Sequence, residues 1–338
     1  MEKINFYKLP NDEKKVIYQQ VSQQTRLPAF AVEKDWWVVK TLEIIYQMEI
    51  SAHLVFKGGT SLSKAWDLIE RFSEDVDLAV DRNFWGFKGE LKKKEITQLR
   101  KTSNQYITSV FYPELAVRFS ESGFDDIDFR LVDATDSDQD PRIIEIYYPN
   151  IIDSPGYIHP KVQVELGCRS LREPFSNQAI SSFVDQSFPN AAFTGISVTI
   201  PTVNPERTLL EKIFLLHEEF QRPVEKIRVD RMSRHLYDIY KLSTTVYAEK
   251  ALTNKELYSE IVNHRYRFTR LGGVDYKRHN PGTIHPIPDS DVLEIWKQDY
   301  SAMQEQMIYG DSPDFDEMLE TIKVFISRIN LLDWHVFH

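Results

Sequence analysis

Residues 54–80 read LVFKGGTSLSKAWDLIERFSEDVDLAV. Leu54, Val55 and Phe56 form a short apolar run, as a buried strand would, and lead directly into Gly58 and Gly59. Two successive glycines let the backbone approach a ligand closely and offer it N–H groups. The spacing predicts a helix beginning near Ser61, whose unsatisfied N–H groups and positive dipole end favour an anion such as a phosphate. Beyond it the chain alternates: Val76, Leu78 and Val80 fall on one face of a strand, Asp75 and Asp77 on the other. Like charges on one face repel, so the pair calls for a cation. Hard oxygen donors beside an anion-binding turn suit a divalent metal and phosphate. The pattern is not a Walker loop, which places Gly-Lys-Ser/Thr after its glycines; here Lys57 precedes them.

The whole chain sets the limits of that reading. It has 338 residues, 42% hydrophobic and 27% charged, enough for one large or two ordinary domains with proper cores. Its apolar runs are too short to span a membrane, and MEKINFYKLPNDEKK lacks the apolar stretch of a secretory leader. A single cysteine, Cys168, excludes an internal disulfide and a cysteine-based zinc cluster. Together these favour the cytoplasm. The net charge of −10 makes the protein a poor non-specific binder of nucleic acid, so an RNA substrate needs a local basic patch.

Outward from the quoted stretch, residues 11–48 read as helices, the first capped by Asn11, the second apolar at helical spacing over 31–48. Glu33-Lys34-Asp35-Trp36-Trp37 reads there as a packing helix with an exposed ion pair. Residues 81–122 read as largely helical, with a solvated charged run at 92–95. Strands at 127–132 and 143–148 flank the polar ATDSDQDP and suggest a hairpin. Asp133, Asp136, Asp138 and Asp140 lack the Gly and terminal Glu of a calcium loop and read as turn chemistry. KVQVEL at 161–166 alternates, with Val162, Val164 and Leu166 on one face. Glu165 on the other face is a candidate third carboxylate, or an ordinary exposed glutamate. After Pro201 the pattern turns helical: Asn204-Pro205 is a good helix start, and a lobe boundary is expected near residue 200.

The pattern Lys57-Gly58-Gly59-Thr60-Ser61-Leu62, then Arg71-x-Ser73-x-Asp75-x-Asp77-Leu78, resembles the AbiEii/AbiGii toxin family of nucleotidyltransferases. That family belongs to the DNA polymerase β-like superfamily and includes the MenT toxins. Its members are usually the toxin half of bacterial toxin–antitoxin or phage-defence pairs. Glu33–Trp37 resembles a segment that precedes the first motif there. Pro205-Glu206-Arg207-Thr208-Leu209-Leu210-Glu211-Lys212 resembles the third motif, and His235-Leu236-Tyr237-Asp238 the fourth.

The resemblance implies an α+β fold: a mixed-sheet nucleotidyltransferase lobe over 1–200 with N-terminal helices, and a mainly helical lobe over 201–338 closing the cleft. It implies that Asp75, Asp77 and Glu165 serve Mg²⁺ (or Mn²⁺). Lys57, Gly58, Gly59, Thr60, Ser61, Arg71, Ser73 and Lys212 would bind the NTP, and Glu165 or Asp238 would orient or deprotonate the acceptor. Read from the residues alone, Lys212 is a lysine that snorkels from an apolar helix, and Asp238 the partner of Arg234 in a surface ion pair. Ser61 or Ser73 is a speculative phosphate acceptor. Arg265, Arg267, Arg270, Lys277 and Arg278, interleaved with aromatics, either grip RNA or balance the acidic bulk. The tRNA 3′ end is the acceptor the resemblance suggests, with a cognate antitoxin as partner and no membrane. The rival readings are transfer to a small molecule or a protein side chain, and a nucleotide-binding protein without turnover.

Overall fold

Alternating strands build the first of two units. The computed structural model describes residues 5–133, 142–153 and 159–336. Within them the chain divides into one unit up to Trp66 together with Phe72–Val203, and a second comprising Asp67–Arg71 and the residues from Asn204 onward. The first unit holds α1 (Asn11–Thr25), α2 (Ala29–Ile45), β1 (Leu54–Lys57), α3 (Gly58–Lys64), β2 (Asp75–Val80), α4 (Lys93–Tyr106) and α5 (Tyr112–Glu121). It continues with β3 (Asp128–Val132), β4 (Ile143–Tyr147), β5 (Lys161–Gly167), β6 (Phe175–Ile180), α6 (Phe183–Ser187) and β7 (Val198–Val203).

The strands form one mixed sheet in the order β3-β4-β5-β2-β1-β7-β6. Its centre is a buried cross-strand row: Leu166 opposes Leu78, Leu78 opposes Phe56, and Phe56 opposes Thr202, each with no exposed surface. Helix α2 packs against β2 and β5. Its Trp36 and Trp37 join Phe6, Phe124 and Tyr148 in an aromatic cluster, Trp37 stacking on Tyr148 at 5.2 Å.

The second unit is helical: α7 (Pro205–Glu219), α8 (Ser233–Ser243), α9 (Val246–Thr253), α10 (Lys255–Phe268), α11 (Ser290–Gln306) and α12 (Phe315–Asn330). In α12, Phe315, Met318, Leu319, Ile322, Phe325, Ile326 and Ile329 are buried, a strict three-and-four spacing that puts one apolar stripe against α8. The expected class, α+β with a mixed sheet and flanking helices, is the one observed. Among the described residues no helix is long and apolar enough to cross a membrane.

Several local readings need correction. Asn11 is the first helical residue of α1, and Pro10 stands at the cap. Helix α3 begins at Gly58, not near Ser61, so both glycines lie in its first turn. Glu33, Lys34 and Asp35 are not an exposed pair: they are 1%, 2% and 3% exposed. The 92–95 run is exposed as expected, and the hairpin forms as β3 against β4. Asp133 pairs with Arg142 at 3.0 Å; Asp136, Asp138 and Asp140 lie outside the described residues.

Candidate active site

The register of the sheet sets out the carboxylates. Asp77 of β2 lies opposite Glu165 on the parallel strand β5 and opposite Lys57 on the antiparallel strand β1. Directly opposed residues point to the same face, so Glu165, Asp77 and Lys57 form one row across three strands. Asp75 is two residues back on that face, opposite Gln163. Asp75 and Asp77 are half-buried and Glu165 is exposed, whereas Val76 and Leu78 between them are fully buried.

Gly58 meets this row from above. Its φ is +81°, and a Cβ built there would stand 2.1 Å from Asp77 Oδ2. Only glycine leaves room for the carboxylate at that spot. The next turn is held by its own hydroxyls. Ser61 donates to the Gly58 carbonyl at 2.8 Å, and Thr60 and Ser73 share a 3.0 Å hydrogen bond. Ser61 has no exposed surface, which removes it as a phosphate acceptor. The cradle thus consists of backbone at Gly58 and Gly59, braced by Thr60, Ser61 and Ser73.

These donors fit a divalent cation: two hard-oxygen side chains share one strand face, with space kept for Asp77 by a glycine. Among the described residues, however, no group of three or more His, Cys, Asp or Glu is gathered to hold a metal ion together. Glu165 stands directly opposite Asp77 on β5, the position expected of a third carboxylate.

The second unit contains a different kind of charge cluster. Arg71 grips Asp238 bidentately, Nε to Oδ1 and Nη2 to Oδ2, both at 2.7 Å. Lys212 of α7 adds a 2.8 Å contact to Oδ2, and His235 Nδ1 lies 3.5 Å from Lys212. Asp238 is fully buried, Arg71 2% exposed and Lys212 7%. Burial alone would raise the Asp238 pKa; the two cations outweigh it and hold the carboxyl well below its ordinary range. Burial, followed by the Lys212 charge, keeps the His235 imidazole neutral. Asp238 is thus no surface partner for Arg234, and Lys212 does not snorkel. Both Asp238 oxygens are engaged by cations.

The basic C-terminal residues separate. Arg265 turns inward and clamps the fully buried Glu218 with bonds of 2.5 and 2.7 Å, and His279 adds a third contact at 3.0 Å. It is removed from the RNA-contact set. Arg267, Arg270, Lys277 and Arg278 are exposed, Arg270 lying 5.3 Å from the Tyr266 ring centre. Sequence reasoning missed the neighbours of Asp75 across the sheet. Glu145 opposes Gln163, is ion-paired to Lys161, and accepts a 2.7 Å bond from Tyr147. The signal was present in the period-two alternation of Glu145 and Tyr147 on β4.

The family model described as "Nucleotidyl transferase AbiEii toxin, Type IV TA system" matches residues 42–321. No curated protein matches the chain in sequence. Similar solved structures include MenT4, a nucleotidyltransferase toxin from Mycobacterium tuberculosis H37Rv, at 16% identity and a TM-score of 0.42, covering 91% of this chain and 98% of that one. Another is JHP933 from Helicobacter pylori, at 14% identity and a TM-score of 0.38, covering 86% and 89%. With the family model spanning most of its length, and its glycine turn and strand carboxylates inside the match, the chain belongs to the AbiEii family of nucleotidyltransferase toxins.

Proposed function

We propose that the protein transfers a nucleotidyl group from an NTP to the 3′ end of a tRNA, in a reaction that depends on Asp75 and Asp77. The observation that carries this reading is the alignment of Asp77 with Glu165 on one sheet face, under a glycine turn whose missing Cβ makes room for the carboxylate. Asp75 and Asp77 would hold Mg²⁺ or Mn²⁺, which would supply positive charge to neutralise the donor phosphates. Backbone N–H groups at Gly58 and Gly59 receive phosphate oxygens, and Lys57, at the edge of the same row, adds positive charge. Glu165, exposed beside Asp77, orients the attacking hydroxyl and accepts its proton. The hydroxyl oxygen then bonds to the α-phosphorus as the bond to pyrophosphate breaks. Positioning and electrostatics carry such transfers. The resemblance implies a phosphate contact by Lys212, whereas its burial and its bond to Asp238 support a structural role; a raised KM for the NTP in Lys212→Met supports the contact, and an unchanged KM overturns it.

The family's toxin character and the exposed Arg267, Arg270, Lys277 and Arg278, which can meet RNA phosphates, support an RNA acceptor. A cognate antitoxin encoded alongside is the partner this reading expects. The test is incubation of the protein with each α-labelled NTP, a divalent ion and total tRNA. Label on the tRNA 3′ end supports the reading. Label on protein or a small molecule moves the acceptor, and absence of label on every acceptor overturns it.

A further inference from the structure

The charged run Glu33–Asp35 of α2 is buried, and each of its charges bonds to another segment of the first unit. Lys34 Nζ lies 2.5 Å from Glu74 Oε2, with side chains 3% and 8% exposed. The same ammonium donates to the His159 carbonyl at 2.9 Å. Glu74 immediately precedes Asp75 at the start of β2, and His159 stands two residues before the start of β5. One cation therefore ties the entry points of the two parallel strands that carry Asp75, Asp77 and Glu165. Asp35 pairs with Lys64 at 2.7 Å, with side chains 3% and 4% exposed, and accepts the Phe183 N–H at 2.8 Å. Lys64 is the last residue of α3, and its ammonium lies 3.7 Å from the Phe183 ring centre. Glu33 accepts the N–H groups of Ile151 and Ile152 at 2.8 and 3.1 Å.

We infer that Lys34 and Asp35 are positioning residues for nucleotidyl transfer, Lys34 acting through Glu74 on the register of β2 against β5, and Asp35 through Lys64 on the helix that opens with Gly58. Buried ion pairs add little net stability, because desolvation offsets their attraction. Their directional bonds select one geometry. The frame they anchor to is stiff: Ala31–Val39 of α2 is buried without interruption and carries the Trp36–Trp37 cluster. The site would feel small errors in this alignment, since misplacement of a reacting group by about 1 Å lowers rate on the order of a hundredfold. The inference rests on the reading that Asp75 and Asp77 support transfer, and its test separates the two.

The variant is Lys34→Met with Glu74→Met, which replaces the pair by apolar groups of similar length. The readouts are melting temperature, kcat and KM for label transfer, and hydrogen exchange of the amides of β2 and α3. Expected are a melting temperature within about 4 °C of wild type, a kcat at least ~tenfold lower, a KM for NTP changed less, and faster exchange confined to these elements. Unchanged kcat and unchanged exchange in a folded double variant overturn the inference. If the wild type transfers no label, exchange decides alone: local loosening supports the tether while the reaction reading falls, and unchanged protection overturns the tether. Should the double variant not fold, Lys34→Arg is read the same way. A lowered kcat at wild-type melting supports positioning, and wild-type kcat overturns it.

Discussion

The strand carboxylates of the first unit and the buried aspartate of the second are the same functional group put to opposite uses. Asp75 and Asp77 are half-buried, at the edge of a polar sheet face, and Glu165 beside them is exposed. Asp238 has no exposed surface and is bonded to Arg71 and Lys212 through both oxygens. A ligand needs lone pairs it can reach, and partial exposure of a carboxylate is the condition for that. The buried triad has spent its charge internally and gains geometry instead. The resemblance implies function for both sets; burial distinguishes a half-exposed pair from a closed charge cluster, and the proposal assigns action to the first and support to the second.

That contrast can be broken in several ways, the largest effect first. Asp238→Ala leaves Arg71 and Lys212 buried without their carboxylate and should destabilise the protein by about 3–5 kcal/mol, read by chemical denaturation. Arg265→Ala strands Glu218 in the same manner and should cost about 3 kcal/mol, whereas Arg278→Ala should leave stability within about 0.5 kcal/mol and, on the proposed function, weaken RNA binding most at low salt and flatten its salt dependence.

Glu33 tests the contrast by pH. Burial, countered in part by two backbone N–H bonds, raises its pKa to about 7 from an ordinary 4.5. At Glu33 the folded state therefore binds more protons than the unfolded one between those values, so this group's contribution to stability is full below about pH 4.5 and is lost as pH rises to about 7. The linkage amounts to at most about 3 kcal/mol, and Glu33→Gln should flatten that slope of melting temperature against pH. Asp238 works in the other direction: its stabilisation is present above ordinary carboxylate pH and is lost only in strong acid.

Gly58→Ala should cost about 1–2 kcal/mol for the positive φ. Its methyl group would displace the Asp77 carboxylate, and transfer should fall by at least ~tenfold.

Much of the site was legible because it is local. Alternation placed Asp75, Asp77 and Glu165 on strands, and Asn204-Pro205 marked the start of α7. The charge partners were not legible, because they are tertiary. Lys34 finds Glu74 and the His159 carbonyl 40 and 125 residues away, and Arg71 finds Asp238 at 167. No period or spacing records such pairings. A charged residue in an apolar helix announces only that some partner must exist. The start of α3 was misplaced for a local reason: glycines read as a turn, while the backbone continues them into the helix behind a Lys57 cap.

The most direct test of the division between acting and holding carboxylates is a matched pair, Asp77→Asn and Asp238→Asn, each assayed for label transfer and for melting temperature. Asp77→Asn should lose transfer by on the order of a thousandfold and melt as wild type does, while Asp238→Asn should melt at clearly lower temperature. An Asp77→Asn protein that transfers at the wild-type rate would contradict the account.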